Sequence, residues 1–169
     1  MTFRLLLGHL CSVCCLLFLW PAWATAQTHT GKVIRVLDGD TLDILEQGRP
    51  LRVRLAYIDA PEKGQPFSER SRQTLAELCA GQLASVRSVD TDRYGRTVGD
   101  VQCQGRSANW QLVHEGMAWV YRKYTPSRHP YYEEERSAQA MHRGLWADPA
   151  PEPPWEWRRA RRTRSSSTG

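Results

Sequence analysis

Residues 33–62 constrain this chain most. They read VIRVLDGDTLDIL, then EQGRP, then LRVRLAYIDAPE, two runs rich in branched side chains on either side of a Gly/Pro turn, which is the pattern of a β-hairpin. From Leu51 to Ile58 the residues alternate, with Leu51, Val53, Leu55 and Tyr57 on one face and Arg52, Arg54, Ala56 and Ile58 on the other. One half-buried strand is expected over that whole span. A hairpin brings an acid near the start of one arm towards an acid at the end of the other. Asp38, Asp40, Asp59 and Glu62 all fall at such strand ends, with Arg54 in mid-strand. Four acids gathered there would repel one another unless a cation sat among them.

The remaining elements follow from period and punctuation. Val33 to Leu37 and Leu42 to Leu45 are apolar runs broken by Asp38-Gly39, a bent strand or two strands with a turn. Pro61 ends the hairpin, and Pro66 opens a helix to about Cys79 that Gly81 closes. Leu83 to Val89 and Thr97 to Cys103 are strands linked by the polar turn Asp90 to Arg96. Ser107 caps a helix to His114, and a third helix spans Tyr131 to about Arg143. From Asp148 the chain is Pro-rich and then Arg/Ser-rich, which predicts an extended strap at Pro153 to Trp157 and a disordered end. Five short strands with about three helices suit an α+β Greek-key β-barrel with helices packed on it, a type that often binds oligonucleotides.

The first 26 residues stand apart. A basic start at Arg4, an apolar run from Leu5 to Trp20 and small residues at Ala24 and Ala26 read as a signal peptide. The expectation is an exported protein, periplasmic or secreted, that does not stay inserted in the membrane once the leader is cut. A retained anchor is the alternative. Cys79 and Cys103 remain after the leader, and in an oxidising compartment they form either a disulfide or two buried thiols.

Net charge is +5, but its placement weakens the case for a polyanion-binding body. With Arg4 in the leader and Arg158, Arg159, Arg161, Arg162 and Arg164 in the tail set apart, 17 basic residues face 18 acidic ones. Nucleic-acid affinity in the folded part must therefore come from a few placed arginines, with the tail adding salt-sensitive attraction.

Asp40 and Asp59 offer hard oxygen ligands, and with no Cys/His cluster nearby they suit Ca²⁺ or Mg²⁺ rather than zinc. Two carboxylates make an open site that waters and a substrate phosphate would complete. Arg52 reads as a solvated charge and Arg54 as a phosphate clamp beside the acids. Arg96, in the run DRYGR, is by itself a polar-turn residue, and Tyr94 there can either stack on a base or pack on the protein.

Five segments together carry a resemblance: VLDGDT at Val36 to Thr41, VRLAYIDAPE at Val53 to Glu62, DRYGR at Asp92 to Arg96, Gly116-Met117-Ala118, and Arg143-Gly144-Leu145-Trp146. Their order over residues 31–146 resembles the thermonucleases, the staphylococcal-nuclease-like family of Ca²⁺-dependent phosphodiesterases built on a five-stranded OB-fold barrel. The resemblance implies that Asp40 and Asp59 ligate Ca²⁺ through side chains and Ala60 through its carbonyl, with Asp38 outside them. It makes Glu62 the general base, and Arg54 and Arg96 the phosphate-binding, charge-stabilising groups. Where family members often carry Tyr-x-Tyr after the Gly116 region, an ungapped match puts Arg122 on one tyrosine position and Tyr124 on the other. The implied organisation is a leader (1–26), a nuclease domain (27–148) and a strap with a basic tail (149–169). The expected activity is a monomeric, exported, Ca²⁺-dependent nuclease acting on single-stranded or frayed DNA and on RNA. The alternative is a non-catalytic OB-fold module that binds nucleic acid or a protein.

Overall fold

The computed structural model describes residues 27–166, so the expected leader lies outside the described residues. Its centre is a sheet that closes on itself. Strands β1 (Thr28–Val36), β2 (Thr41–Glu46) and β3 (Arg49–Leu55) run antiparallel, and β5 (Leu83–Thr91) and β6 (Thr97–Cys103) continue from the other edge of β1. Parallel pairing of β3 with β6, from Val53↔Thr97 to Leu55↔Gly99, joins the two ends into a five-stranded barrel. β7 (Arg106–Ser107) adds to β6, and β4 (Ile58–Asp59) pairs separately with β8 (Trp119–Val120). The fold is α+β and OB-like, as expected.

The β2–β3 hairpin turns on Gln47 and Gly48, both at positive φ (48° and 79°), a two-residue turn whose twist matches the flanking strands. The expected single strand to Ile58 is instead two. β3 stops at Leu55, Ala56 is buried, and Tyr57 takes a left-handed φ of 67° before β4 begins. Buried Asn109 holds this break in place. Its amide donates to the Ala56 and Gly99 carbonyls at 3.0 and 3.2 Å, and its oxygen accepts from the Val101 N–H at 2.9 Å.

Helix α1 (Ser68–Cys79) and helix α2 (Ala108–His114) pack on the barrel, the second capped by the Ser107 hydroxyl as predicted. Cys79 and Cys103 are joined in a disulfide, with Cα atoms 5.3 Å apart, which decides between the two readings left open by the sequence. Helix α3 (Tyr131–Ala140) ends sooner than expected, and a 3₁₀ turn (Gly144–Ala147) follows. Gly116 and Gly144 both have positive φ, and a Cβ on either would collide with the backbone beside the other, so these two sequence motifs form one tight crossing.

The C-terminal stretch departs from expectation. Pro154–Ser166 is helix α4, not a strap with a disordered end. Pro154 sits buried at its first position, Glu156 lies in its first turn and Arg164 in its last, an arrangement that suits the helix dipole. No helix among the described residues is long and apolar enough to cross a membrane.

Candidate active site

The hairpin and the β3–β4 break bring three of the singled-out residues into direct contact. Asp40, one residue before β2, and Asp59, at the end of β4, are both buried, and Arg54 lies between them. Arg54 Nη1 is 3.0 Å from Asp40 Oδ2, and its Nη2 donates to Asp59 Oδ1 at 2.9 Å. Nη1 also donates to the Leu55 and Ile58 carbonyls at 3.0 Å each, so the arginine braces the turn that separates it from Asp59. These bonds use three of the five N–H donors of a guanidinium, leaving two for a ligand.

The Asp-Gly-Asp loop is fixed from both sides. Asp38 accepts from the Asp40 N–H at 3.0 Å, and Asp40 Oδ2 accepts from the Ala60 N–H at 2.6 Å. Gly39 lies against Ala60 and the Ser71 side chain of α1, where no Cβ would fit. Burial is the largest influence on both aspartates. It pushes the Asp40 pKa up to about 8 against the opposing Arg54 charge, with Asp38 and Asp59 adding repulsion. It raises Asp59 as well, opposed by Arg158 and Arg54.

Glu62 follows β4 by three residues and is partly exposed. Its N–H donates to Gln65 Oε1 at 2.9 Å, and Gln65 in turn donates to the Glu152 carbonyl at 2.6 Å, tying this turn to the segment before α4. Arg158 of α4 completes the cluster. Its Nη2 donates to Asp59 Oδ2 at 2.8 Å, and its Nη1 to Asp59 Oδ1 at 3.2 Å and Glu62 Oε1 at 2.5 Å. Burial disfavours the Arg158 charge, but the hydrogen bonds it donates to Asp59 and Glu62, with their negative charges, outweigh it and keep the guanidinium protonated.

Arg96 is not in contact with these acids. Its Nε donates to Asp92 Oδ2 at 2.6 Å inside the β5–β6 turn, and the hydrogen bonds that Asp92 accepts from it outweigh burial to hold that carboxyl below its usual pKa. Arg96 directly precedes β6, whose Val98 pairs with Arg54, so its backbone enters the sheet two residues from the neighbour of Arg54. Tyr94 is exposed, with the Arg93 and Arg96 guanidinium carbons 4.8 and 5.6 Å from its ring centroid. Tyr124 is exposed and meets Tyr121 edge-on at 5.0 Å. Arg122 points elsewhere, bonded to buried Glu135 at 2.7 Å, which also accepts from the Val120 N–H.

Among the described residues no three His, Cys, Asp or Glu side chains converge closely enough to hold an ion unaided. Asp40 and Asp59 nevertheless fit a hard divalent ion, since both are buried carboxylate oxygen donors brought together around one point. The Ala60 carbonyl belongs to the residue whose N–H already anchors Asp40.

The model of the family "Staphylococcal nuclease homologue" matches residues 52–148, which span Arg54, Asp59, Glu62 and Arg96. The chain belongs to that family. The chain is 47% identical over 150 residues to "Micrococcal nuclease" of Shigella flexneri, covering 83% of this chain and 84% of that one. It is 45% identical to "Protein ParB" of Escherichia coli, covering 82% of each. To an "Uncharacterized endonuclease" of Escherichia coli O157:H7 it is 42% identical, covering 84% of this chain and 92% of the relative.

Sequence reasoning missed Arg158, Trp155 and Gln65. Arg158 lies 99 residues from Asp59 and 96 from Glu62, in a run whose composition hides it. The available signal was the helix start at Pro154 with Glu156 behind it, which would have placed Trp155 and Arg158 three apart on one face.

Proposed function

We propose that this nuclease hydrolyses phosphodiester bonds of single-stranded or frayed DNA and of RNA with a bound Ca²⁺, after export from the cytoplasm. The observation that carries the reading is the contact of half-buried Arg54 with the buried acids Asp40 and Asp59, with Glu62 three residues beyond Asp59. Asp40 and Asp59, with the Ala60 carbonyl, would hold the ion, which when bound supplies positive charge to the phosphate and the attacking oxygen.

Glu62 takes a proton from the attacking water. A carboxylate is a weak base at neutral pH, so it works only where cations stabilise the oxygen it deprotonates. Arg54, immobilised by two carbonyls and two carboxylates, presents its remaining N–H donors to the phosphate without reorganising. Arg96 adds a second guanidinium from the neighbouring strand once its Nη groups meet a phosphate oxygen. Tyr94 and Tyr124, both exposed, offer flat faces on which unpaired bases stack, favouring single strands. By family resemblance the product carries a 3′-phosphate. The exposed arginines of α4 add salt-sensitive attraction to the strand.

Purified mature protein should cleave a fluorogenic oligonucleotide in Ca²⁺ and stop on chelation. Glu62→Gln should lower kcat by about 10²- to 10⁴-fold, and Arg96→Ala by about 10²- to 10³-fold. Chelator-resistant cleavage unaffected by both substitutions would end the reading.

A further inference from the structure

We propose that Arg158 competes with the divalent ion for Asp59 and Glu62, so that α4 acts as a built-in competitor. This rests on the assignment of Asp40 and Asp59 as metal ligands and adds a device that controls them.

Both oxygens of Asp59 are taken in the structure. Oδ1 accepts from Arg54 at 2.9 Å and from Arg158 at 3.2 Å, while Oδ2 accepts from Arg158 at 2.8 Å. The same guanidinium holds Glu62 Oε1 at 2.5 Å. Three of the roughly four lone-pair sites of the Asp59 carboxylate are thus engaged by guanidinium groups, and one Glu62 oxygen is held by Arg158, so an ion at Asp59 must compete with the Arg158 charge and its hydrogen bonds.

The cover extends beyond the acids. Trp155 lies one helical turn before Arg158, and its ring is parallel to that of Tyr121, at 1° and 5.8 Å between centroids. The Arg158 guanidinium carbon is 6.0 Å from that same tyrosine ring. One face of α4 therefore spans the carboxylates and the aromatic corner formed by Tyr121 and Tyr124. The segment leading into α4 is anchored separately by Gln65 to the Glu152 carbonyl, and Pro154 is buried, so the contact is held at the root of the helix. The turns beyond, with Arg159, Arg161 and Arg162, are exposed.

Conformational selection gives the size of the effect. If the Arg158-free arrangement is populated one tenth of the time, the observed metal Kd is about tenfold above the intrinsic one. Removing the guanidinium removes that factor.

The experiment is a titration of full-length mature protein with Tb³⁺ as a luminescent stand-in for Ca²⁺, followed by Ca²⁺ displacement, with no substrate present. Wild type, Arg158→Gln, Arg158→Lys and Asp40→Asn are compared after melting curves confirm folding. Arg158→Gln should bind about tenfold more tightly or better, and Arg158→Lys should fall between, since an ammonium keeps the charge but loses the two-pronged contact with Asp59. Metal affinity in Arg158→Gln equal to or weaker than wild type, with Asp40→Asn abolishing binding, overturns the competitor role and leaves the metal site standing. Absence of saturable binding in every variant overturns both.

Discussion

Reducing the Cys79–Cys103 bond offers a quantitative test of how the barrel is held. The bridge joins residues 24 apart, tying the end of α1 to the last residue of β6. Closing a loop of that length in the unfolded chain removes entropy worth about 3.5 kcal/mol at 25 °C on the chain-entropy account. Near the midpoint, unfolding entropy is about 2.1 cal/mol/K per residue, or about 0.29 kcal/mol/K over residues 27–166, so the loss should lower Tm by about 12 °C. Both cysteines are fully buried, so reduction must be done on unfolded protein before refolding in reductant. Differential scanning calorimetry of oxidised and reduced protein, with Cys79→Ala/Cys103→Ala as a control that cannot reoxidise, reads the shift directly. A reduced protein melting within about 3 °C of the oxidised one would show that the bond does not restrict the unfolded chain in the way the chain-entropy account requires.

Two further perturbations probe the site and its support. The Asp40 pKa is raised by folding from 3.8 to about 8, so its contribution to stability is full below about pH 4 and is lost as pH rises through 8. Metal-free wild type should therefore lose Tm between pH 5 and 9, and Asp40→Asn should lose less; parallel profiles would contradict the burial argument. Asn109→Ala strips the acceptor from the Val101 N–H and the donor from the Ala56 and Gly99 carbonyls, which should cost about 2–4 kcal/mol in urea unfolding. A loss under 1 kcal/mol would mean that water replaces the amide at the β3–β6 seam.

Where local pattern decides structure, the sequence was sufficient. β6 is found at its expected bounds, α2 begins behind its Ser107 cap, and the hairpin turns at Gln47-Gly48. Asp40, Arg54 and Asp59 lie within 20 residues, and a hairpin leaves them little choice but to meet. The misses come from long-range contacts. Alternation alone carries β3 through Ile58, but the buried Asn109 amide claims the Ala56 carbonyl and forces the left-handed Tyr57. Pro-rich and then Arg/Ser-rich composition argues for an extended strap to Trp157 and disorder beyond it, yet Trp155 against Tyr121 and Arg158 against two acids give the helix a surface to rest on. The paired cysteines needed a distance that no spacing rule supplies.

The left-handed Tyr57 has an implication for how this chain tolerates length change. Arg54 reaches Asp59 around a turn whose carbonyls at Leu55 and Ile58 it grips itself, so the five-residue interval sets which way the second carboxylate looks. Adding or deleting one amino acid there would swing Asp59 to the opposite side of β4. Library designs on this scaffold should hold that interval to the letter.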